Sequence, residues 1–338
     1  MSLDGKQGNP VSQHPLTISV IVPVYNREGI IGKTISTILD QSRKPDQIVF
    51  CDDGSRDGSV AAIHNALCGS QIPYLVVEVP NSGPSNARKV AVEHATGSWF
   101  FFLDSDDRWQ HDYLEDTEKL IHEHRPEAVV SNFRKVHVQE SEETFDDDKF
   151  SEAPEGFWAS GFDQQDGVSL ANGPWLFEQT LTFQPCFPSA LACSREAYDR
   201  VGGITLKSTS LKSEDSHFTR KLYFYCKVAF QHAVQVHIVI HGGNRSMAGS
   251  RVLHSEKLAG RVEILKIMLA DRDVGRASGL PLKKAIERNT VALFNSYYWS
   301  GEYQRALQAF RDIRPGLRSP KLFAKRAICW LRARQEGS

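Results

Sequence analysis

From Thr17 to Leu103, apolar strands rich in Val, Ile and Phe alternate with segments whose apolar residues recur at helical spacing, which leaves few folds open. The expected order is strand Thr17–Tyr25, helix from about Glu28 to Gln41, strand Gln47–Cys51, helix Ser59–Leu67, strand Tyr74–Val79, helix Pro84–Ala95 and strand Ser98–Leu103. Strand and helix in regular turn predict an α/β fold with a mostly parallel central sheet flanked by helices. A helix His111–His124 and a strand Ala128–Val138 should follow. The stretch Gln139–Glu155, with eight acids and one lysine, reads as a loop or flap. Beyond it we expect a short helix near Trp175, a strand around Ala190–Cys193, a helix Arg195–Val201 and another helix opened by Glu214-Asp215. Residues 251–334 read as three or four helices without strands.

Composition adds a second division. The chain has 338 residues, of which 41% are hydrophobic and 24% charged, as in ordinary globular proteins. Its net charge of −1 hides an asymmetry: residues 1–250 hold 22 Lys and Arg against 33 acids, whereas 251–338 hold 18 against 8. We therefore expect a polar lead-in over 1–16, a main domain over 17–250 and a basic helical extension over 251–338. The six cysteines form no CxxC pair, and most sit in apolar runs, so they are expected to be reduced and buried. No leader and no apolar run approaching ~18 residues is evident, which points to a cytoplasmic chain.

The chemistry gathers where strands are expected to end. Trp99-Phe-Phe-Phe-Leu103 runs directly into Asp104-Ser-Asp-Asp107. In open α/β sheets ligands bind at the carboxyl ends of strands. Three carboxylates held together repel unless something cationic neutralises them, and a hard divalent cation, Mg2+ or Mn2+, completed by a substrate diphosphate suits oxygen ligands. The alternative is that Asp106 or Asp107 merely caps the helix near His111. The second strand ends in Asp52-Asp53-Gly54, where Asp53 either receives a base or ribose or serves only its turn. Pro23-Val-Tyr25-Asn26 ends the first strand, with Tyr25 available to stack on a nucleobase or simply to pack. Arg88, one turn into its helix, either favours phosphate or ribose oxygens or is simply a surface arginine. Ser213 is a candidate N-cap for Glu214-Asp215, whose first-turn position keeps Asp215 ionised and suited to act as a base.

Taken in order, Val20-Ile-Val-Pro-Val-Tyr-Asn26, Asp52-Asp-Gly-Ser-Arg-Asp-Gly58, Asn81 to Arg88 and Leu103-Asp-Ser-Asp-Asp107 resemble the inverting family-2 glycosyltransferases of the GT-A fold, over roughly residues 17–246. The resemblance implies a nucleotide-binding half over 17–138 and an acceptor half over 156–250. It also implies a nucleotide site made by Pro23, Tyr25, Asp53, Arg88, Asp104 and Ser105, and a cation held by Asp106, with Asp107 as rival. His241, in a segment like the family's closing His-x-x-Asn-x-Ser, would complete the metal shell or bind phosphate; Asp215 would be the catalytic base. The donor would be a nucleotide diphosphate sugar, most simply a UDP-sugar, and the acceptor a hydroxyl of a glycan or lipid-linked molecule in cell-surface polysaccharide synthesis. A serine at 213 departs from the glycine frequent before the Glu-Asp pair. The absence of Gln-x-x-Arg-Trp argues against processive synthesis.

Other readings stay open at this level. A phosphohydrolase or phosphotransferase using a strand-end aspartate is one, although Arg108 occupies the last slot of its usual motif; a sugar-nucleotide or phospholipid binding module without catalysis is another. No G-x-G-x-x-G supports a nicotinamide enzyme, and no nucleic-acid-reading motif is present. Trp175, Phe183 and Gln184 form a candidate acceptor wall, and Arg220-Lys221 either meet an anionic acceptor or are solvated. In residues 321–334, Lys321, Lys325 and Arg332 share one helical face while Phe323, Ala327, Trp330 and Leu331 share another. That pattern fits an anionic membrane surface at the inner face of a membrane, or packing of the apolar side on the domain.

Overall fold

The computed structural model describes residues 16–139, 142–205, 213–241 and 251–335. In chain order its elements are β1 (Ile18–Val24), α1 (Ile31–Leu39), β2 (Gln47–Asp52), α2 (Ser59–Ala66), β3 (Tyr74–Glu78), α3 (Pro84–His94), β4 (Trp99–Phe102), β5 (Arg108–Trp109), α4 (Tyr113–His124), β6 (Ala128–Gln139) and β7 (Glu142–Asp148). Then come β8 (Asp163–Gln165), β9 (Val168–Asn172), α5 (Gly173–Gln179), β10 (Leu191–Ser194), α6 (Arg195–Arg200), α7 (Asp215–Tyr225), β11 (Lys227–Ile240), α8 (Arg251–Ala270), α9 (Arg272–Trp299), α10 (Tyr303–Asp312) and α11 (Pro320–Gln335).

The sheet runs β3-β2-β1-β4-β10-β6-β11-β9-β8, with β5 on β11 and β7 on β6. Strands β1 to β4 are mutually parallel where they pair. β10 is antiparallel to both β4 and β6, and β11 is parallel to β6, so β4, β6 and β11 point the same way. Their carboxyl ends therefore share one edge, which is how His241, just after β11, comes to lie near Asp104–Asp107.

Both faces of the sheet are covered, which explains the near-continuous apolar strands. Side chains alternate across it. Val20, Val22, Ile48, Phe50 and Phe101 meet Ile31, Ile35, Ile63 and Tyr113 on one face. Ile21, Val49, Phe100 and Phe102 meet Ala87, Ala91, Phe218 and Tyr223 on the other. The carboxyl-terminal helices share this packing: Phe177 of α5 is buried with Ile264, Leu265 and Met268 of α8 and Leu282 of α9. α9 bends at Ser278, three residues before its internal Pro281.

Two expectations need correction. The acidic stretch is not wholly a loop, because Glu142–Asp148 is a strand antiparallel to β6. Glu143 pairs with Arg108 at 2.8 Å, His137 with Asp146 at 3.0 Å, and Asn132 donates to Asp148 at 2.7 Å, so edge pairing and cross-strand partners override the poor strand propensity of acids. The cysteines are not uniformly buried either: Cys51, Cys193, Cys226 and Cys329 are, but Cys68 is exposed and Cys186 half-buried.

Candidate active site

The loops at the carboxyl edge are fastened to one another before they offer anything to a ligand. Asn26 takes up a left-handed φ of 51°, its N–H donates to Ser55 Oγ at 2.8 Å, and its Oδ1 accepts from Arg56 N at 2.8 Å. Asp53 accepts the backbone N–H groups of Ser82 (2.7 Å) and Gly83 (2.8 Å), and so holds the start of α3 against the end of β2. Gly54 is required there: at φ +74° a Cβ would lie 3.0 Å from Asn81 N.

Pro23, Tyr25, Asp53, Arg88, Asp104, Ser105, Asp106, Asp107, Glu214 and Asp215 line one pocket of about 650 Å³. Arg88 is the link between its two halves. Its Nη2 donates to Asp104 Oδ1 at 2.5 Å. Burial opposes its charge, but Asp104, with Asp215 and Glu214 behind it, raises its pKa all the same. Asp106 Oδ2 accepts from Arg27 Nη2 at 3.0 Å and lies 3.2 Å from His241 Nε2. Burial and then Asp104 push the Asp106 carboxyl up, against the pull of Arg27 and His241. Ser105 turns its carbonyl to Thr34 Oγ1 at 3.1 Å, so it shapes the turn through its backbone.

Asp107 differs from Asp106. It is buried, one oxygen accepts from Ser189 Oγ and the other from Val239 N at 3.0 Å. Burial raises its carboxyl well above the usual range, with Asp106 and Asp104 adding to the effect. Ser189, which carried no sequence signal, thus organises the acid turn, since its Oγ also accepts from Asp104 N at 3.0 Å.

Glu214 and Asp215 enter from α7. Ser85 Oγ, in the first turn of α3, donates to Glu214 Oε1 at 2.6 Å and so ties the two helices together. Burial raises both carboxyls above the usual range; Asp215 pushes Glu214 further up and Asp104 does the same to Asp215, while Arg88 counteracts the shift in each. Ser213 is not the N-cap: α7 is preceded by Glu214 and has no side-chain cap, and Ser213 sits at φ +63° with its carbonyl accepting from Ser216 N at 3.1 Å. A left-handed serine carries roughly 1 kcal/mol of strain that glycine escapes. Ser213→Gly should therefore stabilise the protein by about 1 kcal/mol in thermal or urea unfolding; an unchanged or lowered midpoint would contradict this.

Other expected contacts fall away. Trp175 packs on Phe162 and Phe183 on Phe157, both within an aromatic cluster, and Gln184 donates to Thr219 Oγ1 at 3.0 Å, so none of the three lines the pocket. Arg220 and Lys221 donate to the carbonyls of Thr180 and Val201, inside the fold rather than in the pocket. The Asn and Ser of the His-x-x-Asn-x-Ser segment that starts at His241, Asn244 and Ser246, lie outside the described residues. Residues missed in the sequence also line the pocket: Arg27, Phe187, and, from α8, Leu253 and Lys257.

The Glycosyl transferase family 2 model matches residues 19–175, the stretch that runs from the second residue of β1 through β4 and the acid turn. Residues 19–175 belong to glycosyl transferase family 2. A relative of this family, the Escherichia coli UDP-Glc:alpha-D-GlcNAc-diphosphoundecaprenol beta-1,3-glucosyltransferase WfgD, is 36% identical over 98 residues, 29% of this chain and 38% of that protein. Matched segments span only 15% to 39% of the curated relatives. Among solved structures, Staphylococcus aureus TarS 1–349 in complex with UDP-GlcNAc superposes with a TM-score of 0.63 at 19% identity, covering 88% of this chain and 80% of that one. The mannosyltransferase PcManGT from Pyrobaculum calidifontis, in complex with GDP-Man and Mn2+, does so with 0.53 at 20% identity over 96% and 84%. The family-2 domain has the GT-A fold, and the likeness to TarS extends into the carboxyl-terminal helices.

Proposed function

We propose that the chain is an inverting glycosyltransferase that moves one sugar from a nucleotide diphosphate sugar, a UDP-sugar in the simplest case, to a hydroxyl of a glycan or lipid-linked acceptor in polysaccharide synthesis. The observation that carries this reading is Arg88 between two sets of acids, bonded to Asp104 and felt by Asp215 and Glu214, in one pocket. The nucleotide fits between Tyr25 and the Asp53 loop, with its ribose toward Asp104 and its diphosphate toward Arg88 and Arg27. Asp215 takes the proton of the acceptor hydroxyl as that oxygen attacks the anomeric carbon. The new C–O bond forms as the bond to the phosphate oxygen breaks, and the electron pair stays on the departing diphosphate. Attack from the side opposite the leaving group inverts the anomeric centre.

The donor set fits a divalent cation of the Mg2+ or Mn2+ type. Such an ion takes one or two protein carboxylates and fills its shell with substrate phosphates. Asp106 with His241 supplies that, and no group of three or more His, Cys, Asp or Glu that could hold a metal occurs among the described residues. When bound, the ion would neutralise charge growing on the diphosphate. Asp107, with both oxygens engaged, holds the turn that presents Asp106. Incubation with a panel of nucleotide sugars and Mn2+, followed by assay of nucleotide release, tests the reading; no release from any donor with any hydroxyl acceptor would remove it.

No helix among the described residues is long and apolar enough to cross a membrane. We infer peripheral contact through α11 instead. Leu322, Cys329 and Ala333 face inward, leaving Phe323 (47% exposed), Trp330 (47%) and Leu331 (57%) outside with Lys321, Arg326 and Arg332. Apolar side chains bordered by cations suit an anionic bilayer. Because α8 and α9 share a core with α5, a chain cut before them would lose packing, so point changes are the cleaner test. Trp330→Ser with Leu331→Ser should lower sedimentation with phosphatidylglycerol-containing vesicles about tenfold or more; equal binding by wild type and variant would refute the contact.

A further inference from the structure

Arg27, directly after Asn26, lines the pocket beside Asp104, Asp106 and Arg88. Its backbone is pinned. The N–H donates to Ser59 Oγ at 2.7 Å, and the carbonyl accepts from Ile30 N at 3.0 Å and Ile31 N at 2.9 Å, where α1 begins. Thr34 of the same helix donates to the carbonyl of Ser105, so α1 sets the spacing between Arg27 and the acid turn.

The side chain is held more loosely. Nη2 donates to Asp106 Oδ2 at 3.0 Å, Nη1 reaches only the neighbouring carbonyl, Asn26 O, at 3.3 Å, and Nε is buried without a hydrogen-bond partner. His241 Nε2 lies 3.2 Å from the same Asp106 oxygen. Nitrogen groups that follow β1 and β11 therefore converge on one carboxylate oxygen, the atom that a cation shared by Asp106 and His241 would have to take. A guanidinium and a divalent ion at one oxygen repel, and the more strongly where water is scarce. Of Arg27 and Arg88, Arg27 has the room to leave: its side chain is 19% exposed, against 7% for Arg88. It also has a destination, since a planar guanidinium matches phosphate oxygens in pairs and a nucleotide diphosphate brings them together with the cation.

We propose that Arg27 is an exchangeable counter-ion of Asp106: it neutralises Asp106 Oδ2 in the donor-free pocket, yields that oxygen when a nucleotide diphosphate arrives with its cation, and moves its guanidinium to the phosphate oxygens. The exchange rests on the transferase reading and its cation. Arg27 keeps the pocket near charge balance in both states, because it leaves Asp106 only as a doubly positive ion and anionic phosphates enter. It also couples the two ligands. Arg27 opposes a cation that comes alone and favours one that comes with a diphosphate able to receive the guanidinium. Loss of a merely structural arginine would weaken both ligands together.

The test measures Mn2+ and UDP separately on the full chain: electron paramagnetic resonance follows free Mn2+ without nucleotide, and calorimetry follows UDP in saturating Mn2+. Arg27→Gln should bind Mn2+ alone about tenfold more tightly and UDP with Mn2+ about tenfold more weakly, shifts of opposite sign. Arg27→Lys, which keeps the charge, should reverse the gain in Mn2+ affinity. Mn2+ affinity unchanged or lowered in Arg27→Gln, UDP affinity held at the wild-type level, or a Mn2+ gain that persists in Arg27→Lys overturns the exchange. If Arg27→Gln does not fold, wild-type crystal structures without ligand and with UDP and Mn2+ decide: Arg27 moved to a phosphate supports the exchange, and Arg27 still on Asp106 Oδ2 overturns it. Wild type that binds no UDP would remove the transferase reading and the exchange with it. Wild type that binds UDP, with shifts of one sign in Arg27→Gln, removes the exchange alone.

Discussion

Asp215→Asn is expected to leave UDP binding nearly unchanged and to lower sugar transfer by about two orders of magnitude or more, the effect of losing a positioned general base. The amide keeps the size of the side chain and its place at the start of α7, but it cannot accept the acceptor's proton. The same carboxyl should set the acid side of the pH profile. Burial raises its pKa and Arg88 only partly offsets the shift. A base with a raised pKa is protonated, and therefore inactive, at pH values where an ordinary carboxylate is still ionised. The turnover number should accordingly begin to fall above the usual carboxylate range as pH is lowered, and this limb should be absent from the residual rate of Asp215→Asn. A variant that transfers sugar at the wild-type rate would remove Asp215 from the mechanism.

Asp106→Ala should produce the opposite pattern. Removing the carboxylate that faces Arg27 and His241 takes away the residue best placed to share a cation with the diphosphate. Calorimetry should show UDP affinity in Mn2+ falling about tenfold or more, whereas affinity without metal should hold or rise, because one negative charge near the phosphates is gone. An equal loss with and without Mn2+ would mean that Asp106 acts by fixing Arg27 and His241 rather than by binding metal. Strong donor binding in Asp106→Ala together with lost binding in Asp215→Asn would reverse the two roles.

The residues that were legible in the sequence are those whose chemistry and neighbours in the chain coincide. Trp99–Leu103 could only be a strand covered on both faces, so the acids after it had to stand at an edge. Glu214-Asp215 announced a helix start. What lay hidden depended on contacts distant in the chain. Ser189 looks like any serine until Asp104 and Asp107 both bond to it, 85 and 82 residues away. Lys257 comes from a helix read as a separate extension, yet it borders the pocket of Asp215. The strand β7 defied propensity because β6 offered it an open edge, and Arg220, which looked ready for a ligand on its own helix, is half consumed by the end of α5. Asp53 illustrates the mixed case: the turn reading and the pocket reading both describe it, since its carboxylate anchors Ser82 and Gly83 while it borders the cavity.

The central claim is that a donor held by the acids after β4 faces a base supplied by α7. A crystal structure of the full chain with a non-hydrolysable UDP-sugar and Mn2+ tests it most directly. The account predicts the diphosphate between Arg88 and Asp106, with the anomeric carbon open toward Asp215. A nucleotide bound elsewhere, or bound here with its sugar turned away from Asp215, would contradict it.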